Sequence, residues 1–102
     1  VVALAPGEEQ VIGTLRLLLD APRAKVGRVA VRRDWRGHGI ASRMLELALA
    51  EARAQGCEGV RLASQAHVAA LYERAGFVVE SELFEEAGIP HVWMGLRLSP
   101  ES

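Results

Sequence analysis

Apolar positions along the chain change from short runs to helical spacing near Gly39. Before that point they come as short runs over residues 1–4, 11–19 and 26–31, with Pro6-Gly7 between the first two and Asp20-Ala21-Pro22 between the second and third. Runs bounded by turn formers predict sequential strands, and Val26, Val29 and Val31 favour an extended chain in the third. Past Gly39 the residues Ala41, Met44, Leu45, Ala48, Leu49 and Ala52 recur at helical spacing until Gly56, which predicts a helix with a glycine stop. Residues 60–63 read as a buried strand, and Val68, Leu71, Tyr72 and Ala75 mark a shorter helix ended by Gly76. An extended pattern resumes over residues 77–79 and continues to Phe84, and a last strand over residues 92–98 follows an Ala87-Gly88-Ile89-Pro90 turn. Without repeats, linkers or low-complexity segments, this order predicts a single α/β domain over residues 1–102, a mixed sheet with helices on its faces.

The length of 102 residues and the 50% apolar content suffice for one core and exclude two domains. A net charge of -1 gives no general pull toward nucleic acid or an anionic membrane, and the apolar runs are too short to span a bilayer. One cysteine, Cys57, cannot make an internal disulfide, and no leader pattern opens the chain, so a soluble protein of the reducing cytoplasm is expected. The chain starts at Val1 without a methionine and reads as a strand at once, so a missing N-terminus is also expected. Charge is uneven: Arg23, Lys25, Arg28, Arg32, Arg33, Arg36 and Arg43 stand against Asp34 alone, while Glu80, Glu82, Glu85 and Glu86 crowd a later stretch. Two solvated surfaces would account for this, as would a polyanion site beside an acidic mouth for a cationic amine.

Arg36-Gly37-His38-Gly39-Ile40-Ala41 lies between a β-rich run and the first turn of the strongest helical pattern. Free N–H groups and the positive end of the helix macrodipole converge there, and glycines let a bulky anion approach the main chain. A pyrophosphate fits that arrangement, with Arg36 adding a charge-assisted hydrogen bond. The segment lacks the third glycine of a dinucleotide fingerprint, where Ser42 stands, and the Gly-Lys-Ser/Thr end of a Walker loop. A strand-to-helix turn that binds nothing is the remaining alternative.

Val29-Ala30-Val31, the Arg36 to Ala41 segment and Leu71-Tyr72-Glu73-Arg74-Ala75-Gly76-Phe77 together resemble the GNAT superfamily of N-acetyltransferases. The second carries its Arg/Gln-x-x-Gly-x-Gly/Ala signature and the third its Leu-Tyr-Glu-x-x-Gly-Phe block. Ser64-Gln65-Ala66-His67-Val68, with Glu82-Leu83-Phe84-Glu85-Glu86-Ala87-Gly88-Ile89-Pro90-His91 and Met94, is similar to its ElaA-like branch. The resemblance covers nearly the whole chain. It implies the acyl-CoA N-acyltransferase fold, a mixed, mostly antiparallel sheet with helices on both faces, with acetyl-CoA as acyl donor and a small-molecule or peptide amine as acceptor. It further implies cofactor contacts from the main chain of Val29 and Val31, from Arg36, Gly37, His38, Gly39, Ile40, Ala41 and Ser42 around the phosphates, and from Gln65. Two departures stand out: the family's first strand and two helices have no counterpart ahead of Val1, and Gln65 stands where the superfamily often has Asn.

Acetyl transfer to an amine needs an unprotonated nucleophile, a place for negative charge on the thioester oxygen, and a proton for the departing thiolate. By resemblance, Tyr72 sits near the sulfur; a phenol is close enough in acidity to an alkyl thiol to protonate the thiolate. Its alternative is a core tyrosine with a satisfied hydroxyl. Among bases, Glu82 and His67 lead, with Glu85, Glu86 and His91 also able to accept a proton; a solvated structural role is the alternative for each. Cys57 has no histidine or basic neighbour to activate it, so direct attack in a ternary complex is preferred to an acyl-cysteine route. The histidines and the cysteine are not at metal-ligand spacings, so no metal is expected. The rival function is a non-catalytic CoA-binding or regulatory module of the same fold, and strand edges near residues 92–98 offer a route to a homodimer.

Overall fold

The computed structural model describes residues 1–4, 10–20 and 22–98. Among the described residues seven strands form one sheet: β1 (Val2–Leu4), β2 (Val11–Asp20), β3 (Arg23–Val31), β4 (Gly59–Gln65), β5 (Val78–Val79), β6 (Phe84–Glu86) and β7 (Ile89–Arg97). Helix α1 (Ile40–Ala54) joins β3 to β4, and α2 (Ala69–Arg74) follows β4. The order across the sheet is β1-β2-β3-β4-β7-β5, with β6 also paired to β7. β3 and β4 run parallel, as a helical crossover requires, and the other described pairs are antiparallel. The mixed, mostly antiparallel sheet expected from the sequence is therefore present. Of the expected turns, Pro6-Gly7 and Ala21 lie outside the described residues.

Alternation along the strands sets the core. Ala24 and Val26 of β3, Val60 and Leu62 of β4, and Val92 and Met94 of β7 are buried, while Arg23, Lys25, Arg61 and Trp93 take the other face. α1 lays Met44, Leu45, Ala48, Leu49 and Ala52 on this core as one stripe. Ala48 and Ala52 are wholly buried, and their small side chains bring the helix close to the sheet. Both helices end as Gly56 and Gly76 predict. The N–H of Cys57 bonds Ala52 O and that of Gly56 bonds Arg53 O, both at 3.0 Å; Phe77 and Gly76 repeat the pattern on Tyr72 and Glu73. Phe77 is thereby turned into the core.

Three expectations are corrected. The strand predicted to run from Phe77 to Phe84 is broken into β5 and β6, because the Ser81 hydroxyl replaces a backbone acceptor and takes the Trp93 N–H at 2.9 Å. The last strand begins at Ile89 rather than Val92, since Ala87 and Gly88, both at positive φ, form the hairpin turn alone. The supposed free edge near residues 92–98 is internal over residues 91–95, with β4 on one side and β5 and β6 on the other.

Candidate active site

Parallel pairing between β3 and β4 runs from Arg23 opposite Gly59 to Val26 opposite Leu62 and stops there. β3 continues along β2, with Val31 opposite Gly13, while β4 continues along β7, with Gln65 opposite His91. Each strand is thus held by its outer neighbour, and the two part. A cavity of about 620 Å³ opens in the gap, walled by residues 27–31 of β3 and 63–65 of β4. The Arg32 N–H bonds Ile12 O on the β2 side at 2.8 Å, so by alternation the N–H groups of Val31 and Val29 face the gap. A bulge helps to aim them: the register shifts here, and Arg28 sits at φ 52°, a conformation that costs a residue with a Cβ about 1–2 kcal/mol.

At one end of the gap the chain passes through a 3-10 turn over Arg33–Trp35 and enters α1 through Gly37 at φ 84° and Gly39 at φ 73°. Only glycine adopts these angles without strain, and a Cβ built on either meets nothing within 4 Å. No side chain caps α1 and no acid stands in its first turn. The N–H groups of Ile40, Ala41 and Ser42 therefore have no intrahelical acceptor, and the positive end of a helix of 15 residues points outward. A second cavity of about 350 Å³ lies against Gly37, Gly39 and this first turn, and it shares Val31, Arg36, Ala41 and Leu71 with the larger one. Arg36 is tied down by its Nε–H, which donates to Val31 O at 3.1 Å. Such a concave surface of N–H donors and guanidinium suits phosphate groups.

Of the basic residues that crowd residues 23–43, Arg28 and Arg36 line these cavities, whereas Arg32, Arg43 and Arg23 pair with Asp34, Glu46 and Glu80. His38 stacks obliquely on Trp35 at 5.5 Å and lines neither cavity. Arg74 lines the smaller one from α2, a contribution not singled out in the sequence. Its position three residues after Leu71 on the same helical face was the available signal.

Tyr72 lines the larger cavity but not the smaller, buried to 7% exposure and edge-on to Phe77 at 6.0 Å. Burial raises its phenol above the ordinary 10.0. Among the described residues its hydroxyl makes no hydrogen bond. Gln65 and His67 line the cavity too, His67 from an exposed 3-10 turn over Ala66–Val68. Glu82 does not: it lies in the break between β5 and β6, exposed and away from the lining. The carboxylate that reaches the cavity is Glu86, together with His91. Cys57 is buried in the core just past the end of α1 and lines neither cavity. Among the described residues no group of three or more His, Cys, Asp or Glu gathers as a metal site, and no helix is long and apolar enough to cross a membrane.

Comparison with known proteins identifies the family and the fold. The family model of the acetyltransferase (GNAT) domain matches residues 2–98. The UPF0039 protein Rv2851c of Mycobacterium tuberculosis is 38% identical over 89 residues, 83% of this chain and 55% of that protein. An acyl-CoA N-acyltransferase from Pseudomonas aeruginosa superposes with a TM-score of 0.77 at 36% identity, covering 86% of this chain and 62% of that one. ElaA of Escherichia coli superposes with a TM-score of 0.78 at 27% identity, covering 85% and 61%. The chain thus spans about half the length of the mycobacterial relative it matches.

Proposed function

The chain belongs to the GNAT acetyltransferase family, and from that premise we propose that its protein is a cytoplasmic N-acetyltransferase of the ElaA-like branch, moving an acetyl group from acetyl-CoA to a primary amine by direct attack. The observation that carries this reading is the parting of β3 from β4, which opens a cavity lined by a buried phenol and sharing Val31, Arg36, Ala41 and Leu71 with the one against the glycine-lined helix N-terminus.

The residues present fit the donor. Open space over Gly37 and Gly39, with the free N–H groups of Ile40, Ala41 and Ser42 and the anchored Arg36, would hold its phosphates. The gap-facing N–H groups of Val29 and Val31 would hold the pantetheine arm, with Gln65 on the facing strand. Acetyl-CoA supplies the acyl group as a thioester. One of the β3 N–H groups stabilises negative charge on the acyl oxygen. Tyr72, protonated at neutral pH, donates its proton to the departing sulfur. His38, stacked on Trp35, supports the turn rather than touching the ligand.

Incubating the full-length protein with acetyl-CoA and a panel of amines, and following release of free thiol, tests the proposal. Amine-dependent release is expected. Saturable CoA binding without turnover of any amine would favour the non-catalytic module, and absence of CoA binding would overturn both readings.

A further inference from the structure

Resting on the acetyl-transfer reading above, we propose that His91 takes the proton from the incoming amine through its Nε2, and that Glu86 holds the imidazolium so formed. Val92 and Met94 point into the core, so His91 points to the opposite face of the sheet, as do its hairpin neighbours Phe84 and Glu86. Tyr72 reaches the same cavity from the core side. The gap is therefore flanked by a phenol on the helix side and by an imidazole and a carboxylate on the other. An amine entering from the second side meets the acyl carbon with the sulfur's proton donor beyond it.

The His91 ring is fixed in one useful state. Its Nδ1 lies 2.8 Å from Ile89 O, which can only accept, so Nδ1 carries the hydrogen and the neutral ring keeps its lone pair on Nε2. Nε2 faces Glu86 Oε2 at 3.6 Å, close enough for a charge-assisted pair once a proton arrives. Phe84 stacks on the ring at 5.8 Å, and the residue is only 9% exposed, so little motion remains. Neither leading base from the sequence matches this: Glu82 is outside the lining, and His67 is exposed. The other charged or titratable groups of the cavity are His67, Tyr72, Arg28 and Arg36; β4 contributes Leu62, Ala63, Ser64 and Gln65 there, none of them charged.

Protons balance. The acceptor arrives as an ammonium and gives one proton to Nε2; its freed lone pair forms the C–N bond as the C–S bond breaks. The sulfur takes the Tyr72 proton, and the second proton shed by nitrogen restores the phenol. His91 then releases the first proton to water beside the exposed Glu86. The products are amide, free thiol and one proton.

His91→Asn in the full-length protein keeps a donor for Ile89 O and removes Nε2. With an amine that the wild type acetylates, kcat/KM at neutral pH is expected to fall by roughly 10²–10⁴-fold, with acetyl-CoA affinity unchanged by calorimetry. The deficit should shrink as pH rises and frees the amine, and added imidazole should restore part of the rate. Glu86→Gln, at an exposed position, is expected to lower kcat/KM roughly tenfold even if the first variant folds poorly. Wild-type turnover beside unchanged rates in both variants overturns this inference alone, as does a His91→Asn deficit that neither pH nor imidazole relieves. A wild type that binds acetyl-CoA but acetylates nothing overturns the acetyl-transfer reading and this inference with it.

Discussion

Gly39→Ala separates what the entry turn does for folding from what it does for binding. Gly39 sits at φ 73° and Gly88, in the β6–β7 turn, at φ 78°; an added Cβ meets nothing within 4 Å at either place. Both alanine variants should therefore lose the same stability, the left-handed strain of about 1–2 kcal/mol. Only at Gly39 does the new methyl stand in the space proposed for a phosphate. Displacing that anion from one main-chain N–H removes a charge-assisted hydrogen bond worth about 1.5–3 kcal/mol, roughly ten- to hundredfold in affinity. Denaturant unfolding with and without CoA reads both effects. At a hundred times the wild-type Kd, CoA should add about 2.7 kcal/mol to the wild type and to Gly88→Ala, but only about 0.4–1.4 kcal/mol to Gly39→Ala. Equal gains in both variants would show that the diphosphate does not rest on this turn.

Tyr72→Phe should slow turnover by roughly 10²-fold or more while leaving acetyl-CoA affinity intact; a rate unchanged across the pH range would remove Tyr72 as proton donor. Tyr72 is the one tyrosine of the chain, so the difference in near-ultraviolet absorbance between the chain and Tyr72→Phe titrates it alone, with a midpoint expected above 10.0. The sign of the linked stability follows: the folded state holds this proton where the unfolded chain has released it. Stability should be flat below about pH 10 and fall as pH rises toward the raised value, and Tyr72→Phe should abolish that fall. Phe77→Ala, at a residue only 2% exposed, should cost about 3–5 kcal/mol in equilibrium unfolding; a loss below about 1 kcal/mol would contradict its place in the core.

What the sequence made legible was whatever neighbours in the chain determine. The stripe from Met44 to Ala52 lies on a single helix, and Gly56 and Gly76 act within five residues of their hydrogen-bond partners. The entry turn with Arg36, Gly37 and Gly39 was equally local, and so was the place of Tyr72 on α2. The gap between β3 and β4 was not, because it depends on where two strands separated by a helix stop pairing and which outer neighbours keep them apart. The choice among acids was not local either. In an unbroken strand Glu82, Phe84 and Glu86 would share one face, and nothing in their spacing distinguishes the first from the last. The distinction is made by Ser81, whose hydroxyl takes the Trp93 N–H and breaks the strand before Phe84. Residues after the break pair afresh, Phe84 with His91 and Glu86 with Ile89, and it is this second register that carries a carboxylate to the cavity and leaves Glu82 in solvent. A side chain with no part in the chemistry thereby selects which acid can stand beside the imidazole.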